Sequence, residues 1–252
     1  MTRAAPLSAF VLHQWNWSET SLILDLFTRE QGRVAAVAKG AKRPYSQLRS
    51  VLLPFQRVLV ALGKPKADAT SEIVTLRTAE YAGGAPMLPP AQLFAGYYLN
   101  ELLMKLLARQ DPHARLFDAY ADTLAALAAA DGDETPLRAF ELLLLRETGV
   151  LPELDRATST QQPLAPDRRY RLEPEAGLMA ATDSPALDGM QCLALNAALI
   201  AHDAPALRCA VAPVREALKP QLRAMLAYHL GSSPLRTRQA MIELRRLLEP
   251  PA

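Results

Sequence analysis

The stretch SLILDLFTREQGRVAAVAKGAKRPYSQLRS, residues 21–50, decides the fold. It reads as two short apolar strands, 22–27 and 33–39, around the polar turn Thr28-Arg29-Glu30-Gln31-Gly32, followed directly by a basic loop over 40–49. In the first strand Leu22, Leu24 and Leu26 share one face and Asp25 takes the other, the alternation of a half-buried strand. In the second, Val34, Ala36 and Ala38 share a face, while Arg33 and Lys39 share parity on the opposite one and are expected to project the same way. From Arg29 to Arg49 there are six basic residues against one acid, Glu30. A small β-structure that ends in a cationic loop suits a polyanion.

Working outward, residues 7–15 read as a strand before this stretch. Residues 52–62, broken by Pro54, and 72–77 (EIVTLR) read as strands after it, with a second basic turn at Gly63-Lys64-Pro65-Lys66 between them. Five short strands with no long helix among them predict a small antiparallel barrel. An OB-fold fits the strand count and the placement of loops, with an SH3-like barrel as the rival. Residues 83–90 (GGAPMLPP) then break the composition, and the period changes from two to 3.6. Helices are predicted over 91–109, 116–130, 136–148, 189–201, 207–230 (interrupted by Pro213 and Pro220) and 238–248. Between them, residues 150–187 are proline-rich and lose the helical period, with a hairpin expected around Arg169-Tyr170-Arg171-Leu172 and Gly177-Leu178-Met179. The expected organisation is therefore an α+β chain: a five-stranded OB-fold barrel over 1–80, then a larger α-helical domain over 81–252 carrying an irregular, hairpin-containing insertion.

Composition narrows the function. Half the residues are hydrophobic and 21% are charged, which excludes wholesale disorder. No apolar run reaches the roughly 18 residues of a membrane span, and the N-terminal residues lack the long apolar core of a secretory signal, so a cytoplasmic protein without a membrane partner is expected. Cys192 and Cys209, in Ala/Leu-rich surroundings, read as two reduced core thiols. The net charge of +2 conceals a division: residues 1–81 carry a net +5 and the remainder a net −3. Such segregation points to a polyanion-binding module joined to something else.

No catalytic constellation emerges. Asp131-Gly132-Asp133-Glu134 clusters acids but lacks the rest of a calcium loop, and reads better as a solvated turn that also favours the next helix start. His13, His113, His202 and His229 are scattered, and there is no Gly-x-Ser-x-Gly elbow, Walker loop or GxGxxG run. No enzyme and no cofactor is expected. In the loop over 40–49, Lys42, Arg43 and Arg49 interleave with Tyr45, the mix of charge and aromatic surface used on single strands. Arg29, Arg33, Lys39, Arg57, Lys64 and Lys66 are expected to extend that surface. Helix 136–148 places Arg138 and Arg146 beside Phe140, a candidate apolar groove rimmed by arginines for an acidic, hydrophobic peptide.

Several runs also carry a likeness. They are WSETSLILDLFT (17–28), Gly32-Arg33-Val34, Val37-Ala38-Lys39-Gly40-Ala41, Leu53-Pro54-Phe55-Gln56, Tyr98-Leu99-Asn100-Glu101-Leu102-Leu103 and Arg138-Ala139-Phe140-Glu141-Leu142. In this order, across nearly the whole chain, the set resembles the bacterial RecO recombination-mediator family. The resemblance implies an N-terminal OB-fold, a C-terminal helical domain, binding of single- and double-stranded DNA without sequence specificity, annealing of complementary strands, and help in loading recombinase onto strands coated by single-strand-binding protein. Implied partners are RecR and the C-terminal tail of the single-strand-binding protein, and the implied location is the cytoplasm, at the nucleoid. Many relatives carry a four-cysteine zinc module in the insertion. Residues 149–181 here contain no cysteine, so no zinc is expected and the hairpin stands as a metal-free remnant. An RNA-binding OB protein or a protein–protein adaptor without a nucleic-acid role would share the same architecture.

Overall fold

Along residues 7–81, alternating side chains close a sheet on itself. A computed structural model describes residues 5–63, 72–83, 87–129, 132–231 and 235–248; Lys64 and Lys66 lie outside the described residues. Strands β1 (Leu7–Asn16), β2 (Leu22–Thr28), β3 (Gly32–Ala38), β4 (Arg57–Leu62) and β5 (Val74–Tyr81) form a closed barrel in the order β1-β2-β3-β5-β4. All neighbours are antiparallel except β3 and β5, and β4 pairs back onto β1. This is OB-fold topology, as expected. The fourth strand starts later than predicted. Pro54, and Phe55 with φ at 66°, hold the chain out of the sheet there, and residues Leu48–Val51 form a single helical turn, α1. Ala9, Val11, Leu24, Leu26, Ala36, Ala38, Leu52, Val58, Val60 and Leu76 fill the interior.

A bulge sets which β1 residues face out. Val11 is opposite Leu26 and His13 is opposite Asp25, leaving Leu12 as the extra residue. Consequently Val11 and Gln14 point inward while Phe10, His13 and Trp15 point outward. The Leu12 carbonyl is satisfied from outside the sheet by Asn100 Nδ2 at 2.9 Å.

By spatial compactness the chain divides into Met1–Ala129 with Leu235–Ala252, and Ala130–Pro234. In the first unit, α2 (Leu93–Leu106) and α3 (Ala114–Ala129) follow the barrel, and α8 (Arg236–Leu248) closes the unit from the other end of the sequence. This unit extends well past residue 80, because the barrel's outer face is itself packed: Phe10 and Phe27 meet Phe117 and Tyr120 with ring centroids 4.9–6.3 Å apart. Tyr120 donates to Asn100 Oδ1, so one polar chain links β1, α2 and α3. Gly32 admits a close crossing: with φ at 67°, a Cβ there would lie 1.9 Å from the Asp111 carbonyl oxygen. The Glu101 carboxylate on α2 accepts from the backbone N–H of Arg236 (2.8 Å) and Thr237 (2.9 Å) and from the Thr237 hydroxyl (2.7 Å). It thereby caps the first turn of α8.

In the second unit α4 (Thr135–Glu147), a three-stranded sheet and the helices α5 (Gly189–Ala201), α6 (Ala204–Val211) and α7 (Arg215–Leu230) follow. The sheet orders β6 (Arg169–Glu173) between β7 (Gly177–Ala180) and β8 (Leu187–Asp188), so the expected hairpin is present. Asp188 and Gln191 make a reciprocal cap on α5, and Asp203 caps α6. Of the two prolines expected to interrupt the last long helix, Pro213 does so, whereas Pro220 lies inside α7. Asp133 accepts from the Thr135 backbone and hydroxyl and from Arg215, which is the helix-start role read for the acidic turn. Cys192 is buried, but Cys209 is exposed, which corrects the reading of two core thiols: the α6 face that carries Cys209 is not covered.

Candidate nucleic-acid interface

Of the ten barrel residues expected to meet a strand, the eight that are described fall into separate groups. Arg29 and Arg57 flank the Ser8 end of β1. The Arg29 guanidinium makes a bidentate pair with Asp118, both bonds at 2.9 Å, and that hydrogen bonding raises its pKa. Arg57 Nε donates to Ser8 Oγ at 2.8 Å, and its guanidinium carbon lies 6.0 Å from the Phe117 ring centroid. These two cations serve the seam between barrel and α3.

Arg33 is a correction. Its parity is as expected, but the outer face at that end of β3 is covered, and the residue is 8% exposed. The guanidinium donates to both Asp25 carboxylate oxygens (3.2 and 2.6 Å) and to the carbonyls of Met104 and Leu107 at the end of α2. It is an internal ion pair and helix C-terminal cap, with no hydrogen-bonding capacity turned to a ligand.

The remaining described residues, Lys39, Lys42, Arg43, Tyr45 and Arg49, gather at the opposite end of β1, about 26 Å from Ser8 at the strand rise. Lys39 follows β3 and is exposed. Lys42 binds the loop between β1 and β2 twice, its backbone N–H donating to the Thr20 carbonyl at 3.0 Å and its Nζ to the Ser18 carbonyl at 3.1 Å. Arg43 and Arg49 are exposed, and Tyr45 is 99% exposed, a value reached only by a ring that packs on nothing. Two aromatics that sequence reasoning passed over stand beside them. Trp15 and Trp17 are 42% and 63% exposed, Trp15 at the outward-facing end of β1 and Trp17 in the loop that Lys42 holds. Trp15 is opposite Ile23, and Ile23 is opposite Val37, so an apolar row crosses three strands toward Lys39. The polar run Asn16, Ser18, Glu19 around Trp17 was the available signal, since a tryptophan among polar loop residues seldom belongs to a core. Glu19 puts one negative charge in the same loop.

The three peptide-groove residues do not come together at a surface, which is a second correction. Phe140 is 1% exposed and Arg138 8%, with Arg138 Nη1 2.9 Å from Glu141 Oε2. α4 is buried on most of its circumference, so its arginine is an internal partner rather than a rim. Arg146 is half-buried, 3.7 Å from Glu153.

Among the described residues no three His, Cys, Asp or Glu side chains converge, and no helix is long and apolar enough to cross a membrane. Fold and surface together define an OB-fold protein whose barrel presents cations and exposed aromatics at one end, joined to a second, mainly helical unit. Residues 3–82 match the family model for the Recombination protein O N terminal, and residues 90–239 match that for the Recombination protein O C terminal. The chain belongs to the RecO family. It is 52% identical to the DNA repair protein RecO of Verminephrobacter eiseniae (strain EF01-2), with 97% of this chain and 98% of the relative covered. It is also 52% identical to that of Acidovorax ebreus (strain TPSY), with the same coverage, and 51% identical to that of Albidiferax ferrireducens, covering 95% of each.

Proposed function

We propose that this chain is a non-enzymatic mediator of DNA repair, which binds single- and double-stranded DNA without sequence specificity and anneals complementary strands. The observation that supports it is the cluster of Lys39, Lys42, Arg43 and Arg49 with exposed Trp15, Trp17 and Tyr45 at one end of an OB barrel. Cations neutralise phosphates, which lowers the repulsion between two strands brought together. Aromatic faces hold bases regardless of identity, because every base has a π-face. A strand gripped mainly through its backbone keeps its pairing edges available to a complement. In this reading the domain over 1–80 supplies the DNA contact. Help in loading recombinase onto strands coated by single-strand-binding protein, contacts with RecR and with that protein's C-terminal tail, and action in the cytoplasm at the nucleoid complete the proposal, supported by membership of the RecO family. The test is annealing of complementary oligonucleotides, bare and coated with single-strand-binding protein, followed by the energy transfer gained between labels on the two strands. Acceleration on both substrates is expected. No acceleration on either, or preference for RNA over DNA in a parallel binding series, would overturn the reading.

A further inference from the structure

Between α1 and the ends of β1 and β2 lies a cleft of about 280 Å³, lined by Gln14, Leu22, Ala41, Lys42, Leu48, Arg49, Leu52 and Leu53. Its residues come from consecutive causes. The bulge at Leu12 turns Gln14 inward, where its amide Nε2 donates to the Leu52 carbonyl and fixes the α1 turn over the barrel end. Ala41 and Leu52 are buried and form the floor, while Leu53 is 41% exposed at the lip. Lys42 and Arg49 stand on the rim. The cleft thus offers aliphatic faces, the carboxamide of Gln14 and two cations. Drug-sized ligands occupy about 300 Å³ or more, so this space admits a single ring system.

We propose that the cleft captures one unstacked nucleobase of the bound strand, with Lys42 and Arg49 on the phosphates that flank it. This inference rests on the strand-binding reading above and adds to it a site distinct in kind from the aromatic surface. The charge pattern selects the occupant: an apolar floor alone would take any small hydrophobe, but cations on both sides of the mouth suit a ring carried on a phosphodiester chain. The carboxamide oxygen of Gln14 accepts from a base N–H without distinguishing strongly among bases. The captured nucleotide anchors the strand, while its neighbours lie along Trp17 and Tyr45.

The lining contains no aromatic side chain, and this makes the site separable from stacking. 2-Aminopurine in a single-stranded oligonucleotide is quenched by its neighbours, remains quenched when stacked on tryptophan or tyrosine, and recovers its emission among aliphatic groups. The experiment adds the full chain to such an oligonucleotide and records anisotropy and emission together, for the wild type and for Leu48→Phe/Leu53→Phe, which fills the cleft. The expected result is a rise in both signals with the wild type. With the filled variant the emission rise should be lost and affinity should fall about tenfold, the worth of one base. Anisotropy that rises while wild-type emission stays quenched overturns the cleft but leaves strand binding standing, and that outcome requires no variant to fold. An emission rise that survives filling overturns it equally. If anisotropy does not change at all, the strand-binding reading and the cleft fall together.

Discussion

Replacing Arg33 by alanine should cost the barrel stability before it costs DNA binding. The guanidinium satisfies both oxygens of Asp25 and two carbonyls at the end of α2, and the side chains of the pair are only 9% and 2% exposed. Without it, the nearest cation to Asp25 is Arg109, at 4.0 Å. Removing one partner of a buried ion pair costs about 3–5 kcal/mol, a large share of the roughly 5–15 kcal/mol that holds a domain folded. With a urea dependence of about 2 kcal/mol per molar, the unfolding midpoint should drop by about 2 M. The assay is simple because both tryptophans, Trp15 and Trp17, belong to the unit under test, so their fluorescence in a urea titration follows that unit alone. A second variant checks the cause: Asp25→Leu with Arg33→Met removes the buried charges together and should recover most of the loss. An Arg33→Ala protein that kept the wild-type midpoint while losing DNA affinity and lowering the salt slope would overturn this account, for that is how an exposed phosphate contact behaves.

Reversing Lys39, Lys42 and Arg43 to glutamate should abolish strand binding and annealing, whereas Arg29→Gln and Arg57→Gln should leave both near wild type; fluorescence anisotropy on labelled single strands separates the groups. With four cations on phosphates, log affinity against log salt should have a slope of about −3 in the wild type, read from the same anisotropy over a salt series. Trp17→Ala and Tyr45→Ala should each weaken single-strand binding by about 1–3 kcal/mol with the urea midpoint unchanged. Burial alone would raise the Glu101 carboxyl, but the bonds from Thr237 and Arg236, with Lys105 nearby, hold it below the usual carboxylate range. Its stabilising effect is therefore complete above the unfolded value of about 4.3 and is lost as pH falls through the lower folded value. Glu101→Gln should weaken the α8 cap at neutral pH, seen as faster hydrogen exchange at Arg236 and Thr237. Of the two thiols, Cys209 should react at once with a disulfide reagent, while Cys192, whose thiol burial pushes up to about 12, should wait for unfolding.

The barrel was legible because alternation reports directly on faces: Leu24, Leu26, Val34, Ala36 and Ala38 are inside as the period of two required. The same period could not say what covers the other face. Asp25 and Arg33 are outward in the sheet and yet buried, because helices distant in sequence pack there and their presence leaves no local mark on β2 or β3. Arg138 illustrates the counterpart in a helix. A wide apolar face was visible, but the burial of the polar side as well depends on neighbours that periodicity does not encode. In the candidate site, charge runs pointed to Lys39, Lys42, Arg43 and Arg49, and none of these is buried, because loop cations have few buried alternatives. Trp15 was passed over because aromatic residues in a strand default to the core and only the bulge at Leu12 turns it outward, whereas the polar neighbours of Trp17 already marked it.

The cap that Glu101 places on α8 joins residues far apart in time as well as in sequence. During synthesis, the barrel with α2 and α3 emerges first, but the backbone groups that satisfy Glu101 belong to Arg236 and Thr237. At translation rates of about 5–20 residues per second, roughly 5–20 s pass while the intervening second unit is made. Throughout that interval the nascent first unit exposes the surface that α8 later covers, with an acidic side chain awaiting its donors. Its completion is thus tied to a helix made only after the whole second unit, so that ribosome stalling anywhere in that unit would leave the first unit without its α8 cover.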